Sequence, residues 1–183
     1  YRPLDTAVEG DWSNAAFFCA LNALGGEVHI DGLRPDSRQG DRVCVQLLER
    51  LRTPDAVIDL SDCPDLAPVL FAAAAAMEGG RFTGTRRLAI KESNRAAVMA
   101  QELAKFGIRV QCDANSVQVF PGGLHAPSEP LGGHNDHRIV MALSVLATRT
   151  GGVIEGAEAV AKSYPDFFEA LQKAGVELTY GAE

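Results

Sequence analysis

Positive charge is in short supply in this chain: 17 lysines and arginines face 24 aspartates and glutamates, for a net charge of −7. That balance excludes a broad nucleic-acid face and a polybasic membrane patch. Any anion must be held by a local basic cluster, because charge beyond about 8 Å is screened while a cation at contact keeps most of its effect. Cysteine is sparse as well. Cys19, Cys44, Cys63 and Cys112 form no CxxC pair and no Cys/His metal pattern, so they read as reduced core or boundary residues of a cytoplasmic protein. Long apolar runs are missing too: the longest, Leu66 to Met77, is too short to span a bilayer and reads as a buried, alanine-rich helix. The opening residues carry no signal-peptide pattern, and Tyr1 in place of Met suggests a chain cut from something longer.

What is present is a hydrophobic content of 46% in 183 residues, enough for a sizeable core in one domain or a fused pair of small ones. The order of elements then repeats. Asp11 is a good N-cap for an apolar helix, Ala15 to Leu24, which Gly25-Gly26 stops; a strand follows at Glu27–Asp31, then a second helix at Arg42–Leu51 and a strand at Val57–Leu60. Pro64-Asp65 opens the next apolar helix, Leu66 to Met77, followed by a strand at 81–84, a second helix at Ala96–Phe106 and a hairpin around Asp113-Ala114-Asn115. Asn135-Asp136 opens a third, His137 to Leu146, with a strand at 153–156, a helix after Lys162-Ser163-Tyr164-Pro165 and a strand at Val176–Tyr180. Asp11 and Asp65 lie 54 residues apart, Asp65 and Asp136 71, so the first of three units is shortened, with Arg52-Thr53-Pro54-Asp55 at the join. Strands around centrally buried apolar helices are the expected architecture.

The chemistry concentrates in Ile90-Lys91-Glu92-Ser93-Asn94-Arg95. Four residues along a helix returns a side chain to the same face, so Lys91 and Arg95 are expected to point together beside Glu92 and hold an anion. The bland alternative is a solvated helix start with an i,i+4 charge pattern. Second helices opening at Gln39-Gly40-Asp41, Lys91-Glu92 and Lys162-Ser163 would converge on one rim, where free helical N–H groups favour anions. Asp65 and Asp136 are each explained equally well as N-caps alone. Trp12 and the Phe167-Phe168 pair read as core.

Four strings in order, Pro64-Asp65-Leu66-Ala67, Lys91-Glu92-Ser93-Asn94-Arg95, Asn135-Asp136-His137-Arg138 and Lys162-Ser163-Tyr164-Pro165-Asp166-Phe167-Phe168, resemble the C-terminal half of the 5-enolpyruvylshikimate-3-phosphate synthase family. Asp11-Trp12-Ser13 and Ser37-Arg38-Gln39-Gly40-Asp41 are also similar, so the resemblance covers nearly the whole chain. It implies an α+β domain built from three βαβαββ-type units of enolpyruvyl transferase kind, the first one shortened. Residues 1–183 would form a single C-terminal-type domain, the N-terminal domain being absent from this chain. The implied reaction moves the enolpyruvyl group of phosphoenolpyruvate to shikimate 3-phosphate in the shikimate pathway, by addition and elimination, with no metal or organic cofactor.

By the same resemblance Arg95, Arg138 and Lys162 are the phosphoenolpyruvate-binding cations, and Asp65 and Glu92 the carboxylates of the proton-transfer steps. Lys91 lies close to both substrates, and His137 lines the site. Arginine suits such a role because its planar fork grips carboxylate or phosphate and stays charged. Two departures stand out. Arg87 occupies a position where the family often has an asparagine contacting the shikimate ring, and Asn94 replaces a common aspartate. The shortened first unit is expected to lie away from the catalytic strings. Partners would be phosphoenolpyruvate, shikimate 3-phosphate and a complementing N-terminal domain, without which the chain would be inactive. The rivals are a half of the sister transferase acting on UDP-N-acetylglucosamine, whose third unit carries Arg-Gly-Tyr in place of Lys162-Ser163-Tyr164, and a non-catalytic anion-binding module.

Overall fold

The structure of the chain, a computed structural model, describes Arg2, Asp5 and residues 7–181; Tyr1 lies outside the described residues. Three apolar helices form its centre: α1 (Trp12–Ala23), α3 (Ala67–Ala76) and α5 (His137–Ala147). Every residue of α3 from Ala67 to Ala75 is buried, as expected of a helix with no polar face. It packs against α5 and α1, its small alanine side chains allowing close approach. The second helices are amphipathic or short: α2 (Cys44–Arg50), α4 (Arg95–Lys105) and α6 (Phe167–Lys173). On α4, Met99 and Leu103 face the core while Ala97 and Gln101 are exposed, the helical alternation of one buried face.

One sheet has the order β1 (Val57–Asp59), β2 (Gly80–Thr83), β4 (Ser116–Val119), β3 (Val110–Cys112). β1, from the first unit, pairs in parallel with β2, from the second, with Ile58 opposite Phe82. The other pairs are antiparallel, and Asp113 N–H donates to Ser116 O at 2.8 Å to close the expected hairpin. Phe82 projects from this sheet onto Phe71 of α3, the ring centroids 4.7 Å apart and both side chains fully buried. Each such ring contributes about 1.5–3 kcal/mol by leaving water. A second, two-stranded parallel pair joins β5 (Leu131–Gly132) to β6 (Ile154–Glu155).

The repeat is visible in the backbone itself. Gly84 and Gly156 adopt nearly the same left-handed conformation, φ 70°, ψ 21° and φ 74°, ψ 25°, and each begins a 310 turn, Thr85–Ile90 and Ala157–Lys162. At Gly84 a side chain would also collide with Asp59 and Ser61, so glycine is required on both counts. These turns correct one expectation. Lys91 and Lys162 do not open second helices; they end equivalent 310 turns, and α4 and α6 begin only at Arg95 and Phe167.

Two expected strands are also corrected. Glu27–Asp31 and Val176–Tyr180 carry no regular secondary structure; Val28, Ile30, Val176 and Leu178 alternate toward the core, but neither segment joins a sheet among the described residues. Alternation reports one face against a core; it does not supply a ladder partner. Trp12 and Phe167 are core, Phe168 half-buried against it. The cysteines are free, with Cys44 and Cys63 buried and Cys112 exposed on the hairpin rather than at the core. No helix of the described residues is long and apolar enough to cross a membrane.

Candidate active site

Of the cations and carboxylates picked out by sequence, Lys91, Arg95, Arg138 and Glu92 gather around Asp65 at the starts of α3 and α5, while Lys162 holds Asn135, next to Asp136 in the chain. Asp65 Oδ1 accepts from Lys91 Nζ at 2.9 Å and Arg95 NH1 at 2.8 Å, and its Oδ2 lies 3.4 Å from Arg138 NH2. Asp65 is therefore not an N-cap. Pro64 places it inside a 310 turn, Pro64–Leu66, and Leu66 precedes α3 without any side-chain cap, so both carboxylate oxygens are left for the cations. Asp11 and Asp136, its counterparts in the repeat, do cap: they accept from the N–H groups of Ser13 and Arg138.

Arg95 is the hub of the cluster and it is fully buried. Nε donates to Asp136 Oδ2 at 2.9 Å, NH1 to Asp65, and NH2 to Glu92 Oε2 at 2.6 Å. One guanidinium thus holds three carboxylates, a use its planar fork allows and a lysine could not replace. The reason Lys91 and Arg95 meet is not the shared helical face that their spacing suggested. Asn94 caps α4 by accepting from Ala97 N–H, so Arg95 is the first helical residue and Lys91 lies in extended chain ahead of it; the two come together on Asp65. Asn94 in place of aspartate is neutral here, since both cap equally well.

Burial acts to raise the Asp65 carboxyl, but the Lys91 hydrogen bond and the charges of Arg138, Lys91 and Arg95 more than offset it and hold its pKa below the usual carboxylate range. His137, the first residue of α5, is 6% exposed, and burial together with the Arg138 charge lowers its pKa, keeping the ring neutral near pH 7. Its Nδ1 and Arg138 NH1 are buried without a hydrogen-bond partner among the described residues. Lys162 donates to the backbone oxygen of Asn135 and, at 2.7 Å, to its Oδ1. Tyr164 anchors that segment, its ring 6.1 Å from Phe18 of α1 and 5.9 Å from Phe167. Arg87 stands apart, exposed, with NH1 3.4 Å from Ser61 O.

Three contributors were not singled out by sequence. Ser93 donates from Oγ to Asp136 Oδ2 at 2.9 Å, steadying the carboxylate that holds Arg95. Asn135, at φ 53°, supplies both oxygens to Lys162. Asp41 comes from the shortened first unit, against the expectation that this unit lies away from the site: burial, then the charges of Asp65 and Asp11, push its carboxyl up, opposed by Arg138 and Lys91. Asn14 of the same unit also donates to Ser163 O, beside Lys162. The signal for Asp41 was its place at a helix start equivalent to the Lys91 string.

Asp136 and Glu102 of α4 have fully buried side chains. Burial alone would raise both carboxyls; hydrogen bonds from Arg95 and Ser93 to Asp136, and from His134, Lys105 and the Gly132 N–H to Glu102, outweigh it and lower both. Unfolded, each titrates near pH 4. The stability these carboxylates contribute is thus present above about pH 4 and lost as pH falls below it toward the folded values, where the unfolded chain takes up protons first. Acid unfolding followed by circular dichroism is expected to begin in that range. Asp136→Asn should flatten the dependence; an unchanged slope would remove Asp136 from the acid response.

Residues 2–171 match the family described as EPSP synthase (3-phosphoshikimate 1-carboxyvinyltransferase). A 3-phosphoshikimate 1-carboxyvinyltransferase of Clostridium kluyveri is 37% identical over 97% of this chain and 46% of its own length. One from Methanoculleus marisnigri is 39% identical, over 96% and 46%. EPSP synthase of Acinetobacter baumannii superposes with a TM-score of 0.64 at 25% identity, covering 91% of this chain and 46% of that one. The chain spans about half the length of the curated relatives it matches. With a family match over nearly its whole length, a matching fold and the charged strings gathered at one end of its central helices, the chain belongs to the EPSP synthase (3-phosphoshikimate 1-carboxyvinyltransferase) family.

Proposed function

We propose that this chain is one domain of a 3-phosphoshikimate 1-carboxyvinyltransferase and supplies the phosphoenolpyruvate-binding wall of its active site. The observation that carries this reading is the meeting of Lys91, Arg95 and Arg138 on the single carboxylate of Asp65, with Arg138 keeping a buried NH1 that has no partner among the described residues. A carboxylate or phosphate placed against Lys91, Arg138 and Lys162 would satisfy that group and complete the charge balance of the rim. His137, neutral, offers a hydrogen bond without adding charge. Asp65 and Glu92 sit within the cationic cluster as the groups for proton transfer to and from phosphoenolpyruvate and the shikimate 3-phosphate hydroxyl. Arg95, being buried, takes part by holding those two carboxylates in place.

The second wall comes from a complementing N-terminal domain, and the assembled enzyme works in the cytoplasm, where free thiols persist. A cleft with one wall neither excludes water nor closes on an intermediate, so the chain alone is not expected to turn over. The test is calorimetric titration of phosphoenolpyruvate, with phosphate release followed in parallel. Turnover is expected only when an N-terminal domain from a relative and shikimate 3-phosphate are both added. Phosphate release by the chain alone would overturn the shared-cleft reading, and no binding or release in any mixture would leave a folded anion-free module.

A further inference from the structure

Glu102 has no part in the chemistry above, yet it is a fully buried carboxylate with three donors: the Gly132 N–H at 2.8 Å, His134 Nε2 at 2.8 Å and Lys105 Nζ at 2.9 Å. An ionised carboxylate only accepts, so His134 carries its proton on Nε2. Glu102 follows Arg95 by seven residues on α4, which puts both on one face two turns apart. α4 therefore reaches the loop from Gly132 to Asp136 at two points with opposite charges: Arg95 grips Asp136 at one end, and Glu102 grips Gly132 and His134 at the other.

His134, held by the Glu102 grip, and Asn135, between it and the Arg95 grip, stand at φ 49° and 53°. Consecutive non-glycine residues adopt that left-handed conformation only where their surroundings impose it. Asn135 is the residue whose backbone and side-chain oxygens both hold Lys162. The surroundings leave no slack. A Cβ on Gly132 would fall 2.9 Å from His134 Nε2, and one on Gly133 would fall 2.7 Å from the oxygen of Gly156, the residue that starts the 310 turn carrying Lys162.

We infer that Glu102 and His134 are positioning residues: with Arg95 they clamp the 132–136 loop in its left-handed conformation, and through Asn135 they set where the Lys162 ammonium stands. Its importance for binding rests on Lys162 being an anion-holding cation of the proposed site; the clamp itself is independent of any substrate. His134 and Glu102 touch neither Lys162 nor the Asp65 cluster, and act through the backbone of Asn135 and Asp136.

Acylation of Lys162 tests this directly. An amine held by two oxygens reacts slowly, so a pulse of acetic anhydride read by peptide mass spectrometry gives a Lys162 rate, with exposed Lys173 as the internal control. In Glu102→Ala and His134→Gly that rate is expected to rise roughly five- to tenfold, as the hold of Asn135 is lost, while Lys173 stays constant. Glu102→Gln keeps an acceptor for the Gly132 N–H and a polar partner for His134, and should restore most of the protection. His134→Gly tolerates positive φ, so it keeps the question open to measurement even where Glu102→Ala fails to fold. Glycine also removes the cost of positive φ, so His134→Ala, which loses the grip and keeps that cost, is measured beside it, and a wild-type Lys162 rate in folded His134→Ala would overturn the clamp. Because no substrate enters the measurement, a wild-type chain that binds no phosphoenolpyruvate would sink the functional reading and leave this result standing.

Discussion

Arg95→Ala is expected to destabilise the fold by about 3–5 kcal/mol, the range for removing one partner of a buried ion pair. The side chain lost is fully buried and bound to three carboxylates, of which Asp136 is itself fully buried and left uncompensated. Glu92 and Asp65 are partly exposed and lose less, because water takes over part of the role. Arg95→Lys should recover little, since an ammonium cannot reach Asp136, Asp65 and Glu92 from one planar fork. Urea unfolding monitored by fluorescence of Trp12 would give the difference. A loss under about 1 kcal/mol, the size of a surface salt bridge, would show that Arg95 is an exposed ligand group in solution and not the hub of the cluster.

Asp65→Asn is expected to separate binding from turnover. The substitution keeps the shape and a carbonyl oxygen for Lys91 and Arg95 but removes the charge that Lys91, Arg95 and Arg138 share. With that competing carboxylate gone, phosphoenolpyruvate should bind the chain at least as tightly as before. Phosphate release by the assembled enzyme should nevertheless fall by about 100- to 10,000-fold, the contribution of a positioned general acid or base. Parallel losses in binding and turnover would instead make Asp65 a scaffold for the arginines, and unchanged turnover would remove it from the proton-transfer steps.

The helices were legible because their signals are local. Asp11 and Asp136 cap α1 and α5, whose expected ends at Leu24 and Leu146 fall one residue from those observed, although α1 starts three residues before the expected Ala15; the continuous apolar run of α3 announced a buried helix. The unpaired segments at Glu27–Asp31 and Val176–Tyr180 were misread for the opposite reason: a strand is defined by a neighbour far away in the chain, and spacing within five residues contains no information about that neighbour. The 310 turns were missed because a six-residue turn carries too short a pattern to separate from a helix start, although the paired Gly84 and Gly156 marked both of them.

At the site, charge type was readable and charge geometry was not. Lys91, Glu92 and Arg95 are neighbours by spacing, so their grouping followed from sequence. That Arg95 is buried while Lys91 is not depends on Asp136, 41 residues on, folding over it. That Asp65 is free of capping duty depends on Pro64 and a 310 turn, and Asp41 enters only through the packing of the first unit. Each is a tertiary outcome with a local cause that becomes visible once the partner is placed.

In the proposed site, the burial of Arg95 bears on how fast and how selectively an anion would be received. The side chains that line the rim are already tied to one another through a single guanidinium, so Lys91, Asp65 and Glu92 have few alternative rotamers left to lose when a ligand arrives. Association then costs little ordering entropy on the protein side. A rim held so stiffly would also discriminate by shape: an anion whose oxygens do not match the existing spacing would find Lys91, Asp65 and Glu92 already committed to one another.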